Sequence, residues 1–211
     1  MLELDEDTRD ALAETFNLAL GHAALHFSEL VNEEVEMSVP QVTLIPAAEL
    51  LPRIAAATGL RDSDRLVRMA QRFNSREGDI QTQALLLFAE QGCLDMLARL
   101  LHQPVALPLG ELERDALGEV ANVILNSCMN RLADVLDRAM TGSLPQIGAG
   151  PAAQVLAQDS SGGAQVLWAG VGLRLADQQV QGQVVFLMDM ASLQLAVQQV
   201  RSYFGMLSEA S

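Results

Sequence analysis

The chain repeats itself. Asp10, Glu14, Asn17 and Pro40 recur as Asp115, Glu119, Asn122 and Pro145, each member shifted by 105 residues. Neighbouring segments keep the shift: Pro40-Gln41-Val42 matches Pro145-Gln146-Ile147, and Pro46-Ala47-Ala48 matches Pro151-Ala152-Ala153. Further on the offset becomes 100, where Ile80-Gln81-Thr82-Gln83-Ala84 matches Val180-Gln181-Gly182-Gln183-Val184, so the second copy is shorter in an intervening loop. A duplicated sequence at fixed spacing implies a duplicated supersecondary unit. The 211 residues then read as a single domain over 1–211 made of two internal repeats, about 5–105 and about 109–207.

Each repeat has the same coarse pattern. A long amphipathic helix opens it, over Glu6–Asn32 with Leu12, Phe16, Leu20 and Phe27 at helical spacing, and over Leu109–Met140 with Leu117, Val120, Ile124, Leu132 and Leu136. Strands follow near Glu36–Ile45 and Ser143–Ile147, then short helices near Ala47–Ala57 and Pro151–Gln158. Two longer strands come next in each copy, Arg65–Phe73 with Ile80–Phe88 and Gln165–Leu175 with Val180–Met188. Arg76–Asp79 and Ala176–Gln179 sit where hairpin turns belong, and Gly92–His102 and Ala191–Phe204 read as closing helices. The expected fold class is α+β: a pseudo-twofold, duplicated layered domain. Its sheet is largely antiparallel and shared by both halves, with the two long helices packed on one face.

The repeated polar set lies on those long helices. Side chains at i, i+4 and i+7 share one helix face, and a core stripe at that spacing would be apolar. Two register-matched stripes of carboxylate, carboxylate and carboxamide therefore face water or a partner. An uncharged carboxamide donates and accepts hydrogen bonds without repelling anionic oxygens. A carboxylate one turn away can pair with a partner's cation.

Composition narrows the partners. The net charge of −14 disfavours nucleic acid and anionic membranes, both of which need a cationic footprint. All 13 basic residues are arginine, which removes Schiff-base lysine chemistry and a phosphate-loop lysine. The acidic N-terminus and the lack of a long apolar run point to a cytoplasmic protein. Cys93 and Cys128 have no metal-ligand spacing and read as buried, reduced thiols.

The pattern Asp-x-x-x-Glu-x-x-Asn, with proline after twenty-two further residues, resembles the signature of the CheC/CheX/FliY family of response-regulator phosphatases. The resemblance covers nearly the whole chain, and two complete motifs look like the CheC-like branch. It implies hydrolysis of the aspartyl phosphate of a CheY-like response regulator in chemotaxis. By position, Asn17 and Asn122 would orient the attacking water, and Glu14 and Glu119 would dock the regulator's active-site lysine. Asp10 and Asp115 would support docking, and Pro40 and Pro145 would shape the adjacent segment. The resemblance implies no cofactor of the chain's own, since the Mg²⁺ belongs to the receiver. The alternative is a non-enzymatic adaptor binding a CheD-like receptor deamidase; a structural component of the rotor switch is a third reading.

Other polar features read as structural. His22 and His26 stand at i, i+4, a spacing that can hold a metal, but the second copy has Ser127 and Arg131 there, and a polar helix face is the plainer account. His102 ends a helix, where its imidazole suits the last carbonyls. Asn126 and Asn130 extend the second stripe against Gly21 and Leu25 in the first, and are expected to adjust local hydrogen bonding. Gly162-Gly163 reads as a turn and the scattered methionines as core.

Overall fold

A computed structural model describes residues 4–58, 64–157, 165–175 and 180–209. The first copy runs α1 (Glu6–Val31), β1 (Val35–Met37), β2 (Gln41–Pro46), α2 (Leu50–Thr58), β3 (Arg65–Ser75), β4 (Gln81–Ala89) and α3 (Glu90–Leu101). The second runs α4 (Glu111–Leu136), β5 (Met140–Gly142), β6 (Gln146–Pro151), α5 (Ala152–Leu156), β7 (Gln165–Leu175), β8 (Gln181–Met188) and α6 (Met190–Glu209). The expected turns at 176–179 and 162–163 lie outside the described residues.

The two long helices form from the same arithmetic. Leu12, Thr15, Phe16, Ala19, Leu20, Ala23, Phe27 and Val31 are buried on α1. Their shifted counterparts Leu117, Val120, Ala121, Ile124, Leu125, Cys128, Leu132 and Leu136 are buried on α4. One apolar stripe per helix leaves the opposite stripe to water. The starts differ: the Asp5 side chain accepts the Thr8 amide at 2.8 Å on α1, whereas on α4 the Glu113 carboxylate reaches back to the Gly110 amide at 2.8 Å. Both helices end on a left-handed residue, Asn32 at φ 53° and Asp137 at φ 50°. His102 ends α3 in the same way through its backbone amide, which bonds to Ala98 and Arg99.

Eight strands form one sheet, and every pairing in it is antiparallel. The order is β1-β7-β8-β4-β3-β5, with β2 also on β7 and β6 also on β3. Each copy therefore hands its first two strands to the other copy's long strand. At the centre, β4 pairs with β8 so that Leu85 faces Val185, its own equivalent at the 100-residue offset. The pseudo-twofold axis passes between those two residues.

Strand alternation explains the layers. Ala84, Leu86, Phe88, Val184, Phe186 and Met188 point into the larger core, shared with α1, α3, α4 and α6; Phe16 meets Phe186 there with ring centroids 4.9 Å apart. Leu85, Leu87, Val185 and Leu187 point to the other face, covered by Leu50 and Ile54 of α2 and Val155 and Leu156 of α5. Both faces are covered, so the strands are continuously apolar over residues 84–89 and 184–188. Cys93 and Cys128 are buried free thiols, and burial pushes both up to about 12.

One expectation needs correction. Glu36–Ile45 is not a single strand: it breaks ahead of Pro40, giving β1 and β2. Ser143–Ile147 instead spans the matching break, after β5 ends at Gly142 and into β6, which starts at Gln146. Proline has no amide to donate to a ladder. A serine two residues earlier makes the link instead. Ser38 donates its amide to the Gly172 carbonyl at 2.8 Å and accepts the Gly172 amide on its hydroxyl at 2.8 Å. Ser143 does the same with Arg72, at 2.8 and 3.1 Å. The residue between serine and proline is thrown outward: Val39 is 74 % exposed and Leu144 86 %.

Candidate functional site

The stripes lie where helical spacing put them. Asp10, Glu14 and Asn17 on α1, and Asp115, Glu119 and Asn122 on α4, are all exposed and opposite the buried stripe of their helix. Several arginines pair away from the stripes, as Arg99–Glu33, Arg138–Asp79, Arg174–Glu36 and Arg201–Asp5. Among the described residues, none of the four stripe carboxylates joins an ion pair. Exposed, unpaired carboxylates on an acidic protein are free to meet an external cation. The prolines sit differently from the stripes, Pro40 buried and Pro145 half-buried at the strand breaks. Each directly follows the outward-facing Val39 or Leu144.

The second site has an addition that the first lacks. The Asn122 side-chain oxygen accepts from the Asn126 amide nitrogen at 2.5 Å. The Asn126 oxygen faces the Gln71 amide nitrogen of β3 at 3.5 Å, and that nitrogen donates to the Ser143 carbonyl at 2.8 Å. Asn126 thus does local hydrogen bonding, as its absence from the repeat suggested. Gln71 was invisible in the sequence, because it is one polar residue among several on β3, with Arg68, Arg72 and Asn74, and its neighbour is decided by packing. Val39 and Leu144 could have been found: both precede the motif proline and both are large and apolar.

His22 and His26 line a cleft of about 260 Å³ between α1 and α4, with Ser127, Asn130, Arg131 and Asp134. Among the described residues no group of three or more histidine, cysteine or carboxylate side chains is placed to hold a metal. No helix among them is long and apolar enough to cross a membrane.

No family model matches the chain. Among curated proteins it is similar to the CheY-P phosphatase CheC of Bacillus subtilis, 25% identical over 148 residues that cover 68% of this chain and 67% of that protein. It is also similar to the flagellar motor switch phosphatase FliY of the same organism, 26% identical over 149 residues, or 69% of this chain but only 36% of FliY. The chain thus spans about a third of FliY's length. Among solved structures, Thermotoga maritima FliY superposes with a TM-score of 0.72 at 15% identity, covering 97% of this chain and 99% of that one. The FliM middle domain of Helicobacter pylori gives 0.66 at 11%, covering 93% and 99%. A Borrelia burgdorferi CheX–CheY complex gives 0.53 at 13%, covering 83% and 97%. The chain is homologous to the CheC and FliY phosphatases and shares their fold.

Proposed function

From that homology we propose that this chain is a phosphatase for the aspartyl phosphate of a CheY-like response regulator in chemotaxis. The observation that carries it is the geometry of the stripes: two register-matched Glu–Asn pairs, exposed, free of ion pairs and one helical turn apart. An acyl phosphate is already reactive, so catalysis needs an in-line water and little else. Asn17 and Asn122 are the groups for that water, since a carboxamide can hydrogen-bond it beside anionic phosphoryl oxygens. Glu14 and Glu119 dock a cation of the receiver one turn along the helix, and Asp10 and Asp115 extend the acidic face. Val39 and Leu144 offer the receiver an apolar contact at the edge of each site. Any Mg²⁺ is held by the receiver.

Loss of a positioned hydrogen-bonding group costs on the order of 10²–10³ in rate. The double variant Asn17→Ala/Asn122→Ala should therefore no longer speed phosphate loss from a phosphorylated receiver. Wild-type turnover in that variant would rule the mechanism out.

The second reading is the alternative that the two-motif resemblance leaves open. On it the chain is an adaptor that docks signalling partners, a CheD-like deamidase among them, without turnover. Size-exclusion with a purified deamidase separates the two: a complex that survives the double substitution, with a wild type inactive on phosphorylated receiver, favours the adaptor.

A further inference from the structure

The two sites are equivalent in sequence motif but not in what lies beneath them. We propose that Gln71 and Asn126 form a positioning relay that fixes the amide of Asn122, making the α4 site the preoriented one while Asn17 is left to rotate. The proposal deepens the phosphatase reading and rests on it for its kinetic arm.

The relay has a definite polarity, which removes the usual ambiguity of amide orientation. The Ser143 carbonyl can only accept, so Gln71 must turn its NH₂ toward it, at 2.8 Å. The same NH₂ faces Asn126 at 3.5 Å, a long contact, and that places the Asn126 oxygen inward. The Asn126 NH₂ then donates to the Asn122 oxygen at 2.5 Å. Asn122 is left with its own NH₂ free and presented to solvent, and with one lone pair of its oxygen uncommitted. A partner would meet an amide whose direction is set before it arrives, which avoids ordering it at the moment of reaction.

Two further observations show that the arrangement is maintained against cost. Gln71 is 3 % exposed, and its own side-chain oxygen has no hydrogen-bond partner. A buried, unpartnered carbonyl is unfavourable, and valine at this position would avoid it. The strand beside it has also made room: a Cβ on Gly142 would sit 2.9 Å from the Gln71 amide nitrogen and 2.8 Å from the Phe73 ring. Around the Asn17 site the equivalents of Gln71, Asn126 and Gly142 are Val171 of the second copy and Gly21 and Met37 of the first, so no such relay can form there.

The test uses the full chain with Asn17→Ala as parent, so that turnover of a phosphorylated CheY-like receiver reports Asn122 alone. Asn126→Ala and Gln71→Val should each lower kcat about tenfold, the rate equivalent of one hydrogen bond, with KM unchanged. The melting temperature of Gln71→Val should be unchanged or higher, because an unpartnered carbonyl has been removed. In the reciprocal parent, Asn122→Ala, the pair Gly21→Asn with Val171→Gln should raise turnover at Asn17. Position 21 has room, since an added Cβ there meets nothing within 4 Å.

Side-chain amide relaxation by NMR needs no turnover. The Asn122 NH₂ should be more ordered than the Asn17 NH₂, and Gln71→Val should bring it to the Asn17 level. Unchanged kcat in both Asn126→Ala and Gln71→Val, or equal order of the two asparagines in wild type, overturns the relay. An ordered Asn122 in a chain without phosphatase activity keeps the relay and removes the phosphatase reading instead.

Discussion

The face around Asn17 and the face around Asn122 carry the same motif. Both keep the Asp, Glu and Asn stripe, the serine link at 2.8 Å to the opposite strand, and the outward apolar residue before proline. They differ in one layer below the surface. At the α4 site a glutamine of β3 and an asparagine of α4 itself occupy positions that a valine of β7 and a glycine of α1 hold at the other. Duplication supplies two sites of the same shape; divergence of buried neighbours can then make them unequal without touching the motif. The comparison teaches that equivalence of motif is not equivalence of site.

The comparison can be broken first at the core. Phe186→Ala removes a ring packed on Phe16, and such truncations cost about 3–5 kcal/mol. Because β4 and β8 join the halves, urea denaturation should show both sites lost in one transition at a lower midpoint. Two separate transitions would show that the halves are independent units.

Within an intact fold, the single asparagine variants sharpen the difference. Asn122→Ala should remove most of the turnover and Asn17→Ala the smaller share, with the double variant down on the order of 10²–10³. Equal losses from the two single variants would make the sites equivalent after all.

Smaller effects are expected at the rim. Leu144→Ser and Val39→Ser should each raise KM for the receiver a few-fold with kcat unchanged, since an exposed apolar residue buried on docking contributes about 1 kcal/mol or more. A titration of binding by each variant checks it.

The smallest effect is on acid stability, and it falls outside the motifs. The Asp5 carboxyl is held below its ordinary value by hydrogen bonds from Thr8, with Arg201 alongside. That of Asp79 is lowered by Ser75 first and then Arg138. A depressed carboxylate contributes stability above its unfolded value, about 3.9, and that contribution is lost as pH falls through the lower folded value. Acid melts from pH 5 to 2 should steepen below about pH 4 in wild type, and less so in Asp5→Asn and Asp79→Asn. Asp5 starts α1 and Asp79 meets the segment after α4, so the two variants compare the copies once more.

Much was legible without coordinates. Apolar spacing at Leu12, Phe16 and Leu20, and at Leu117, Ile124 and Leu132, located both long helices and so put the polar stripes on their exposed sides. The alternating strands near residues 84 and 184 were legible too. What misled was the run through Pro40 and Pro145, whose β-rich composition hid the break that the prolines impose.

The sequence by itself determined the duplication, the helices and strands within each copy, and the residues that face water, because those follow from periodicity along one chain. Only the tertiary structure decided that each copy lends its early strands to the other, that Leu85 meets Val185 on the axis, and that Gln71 lies beneath Asn126. Those are pairings between residues tens of positions apart. Local spacing carries no information about them, since burial and hydrogen bonding across the sheet select the partner.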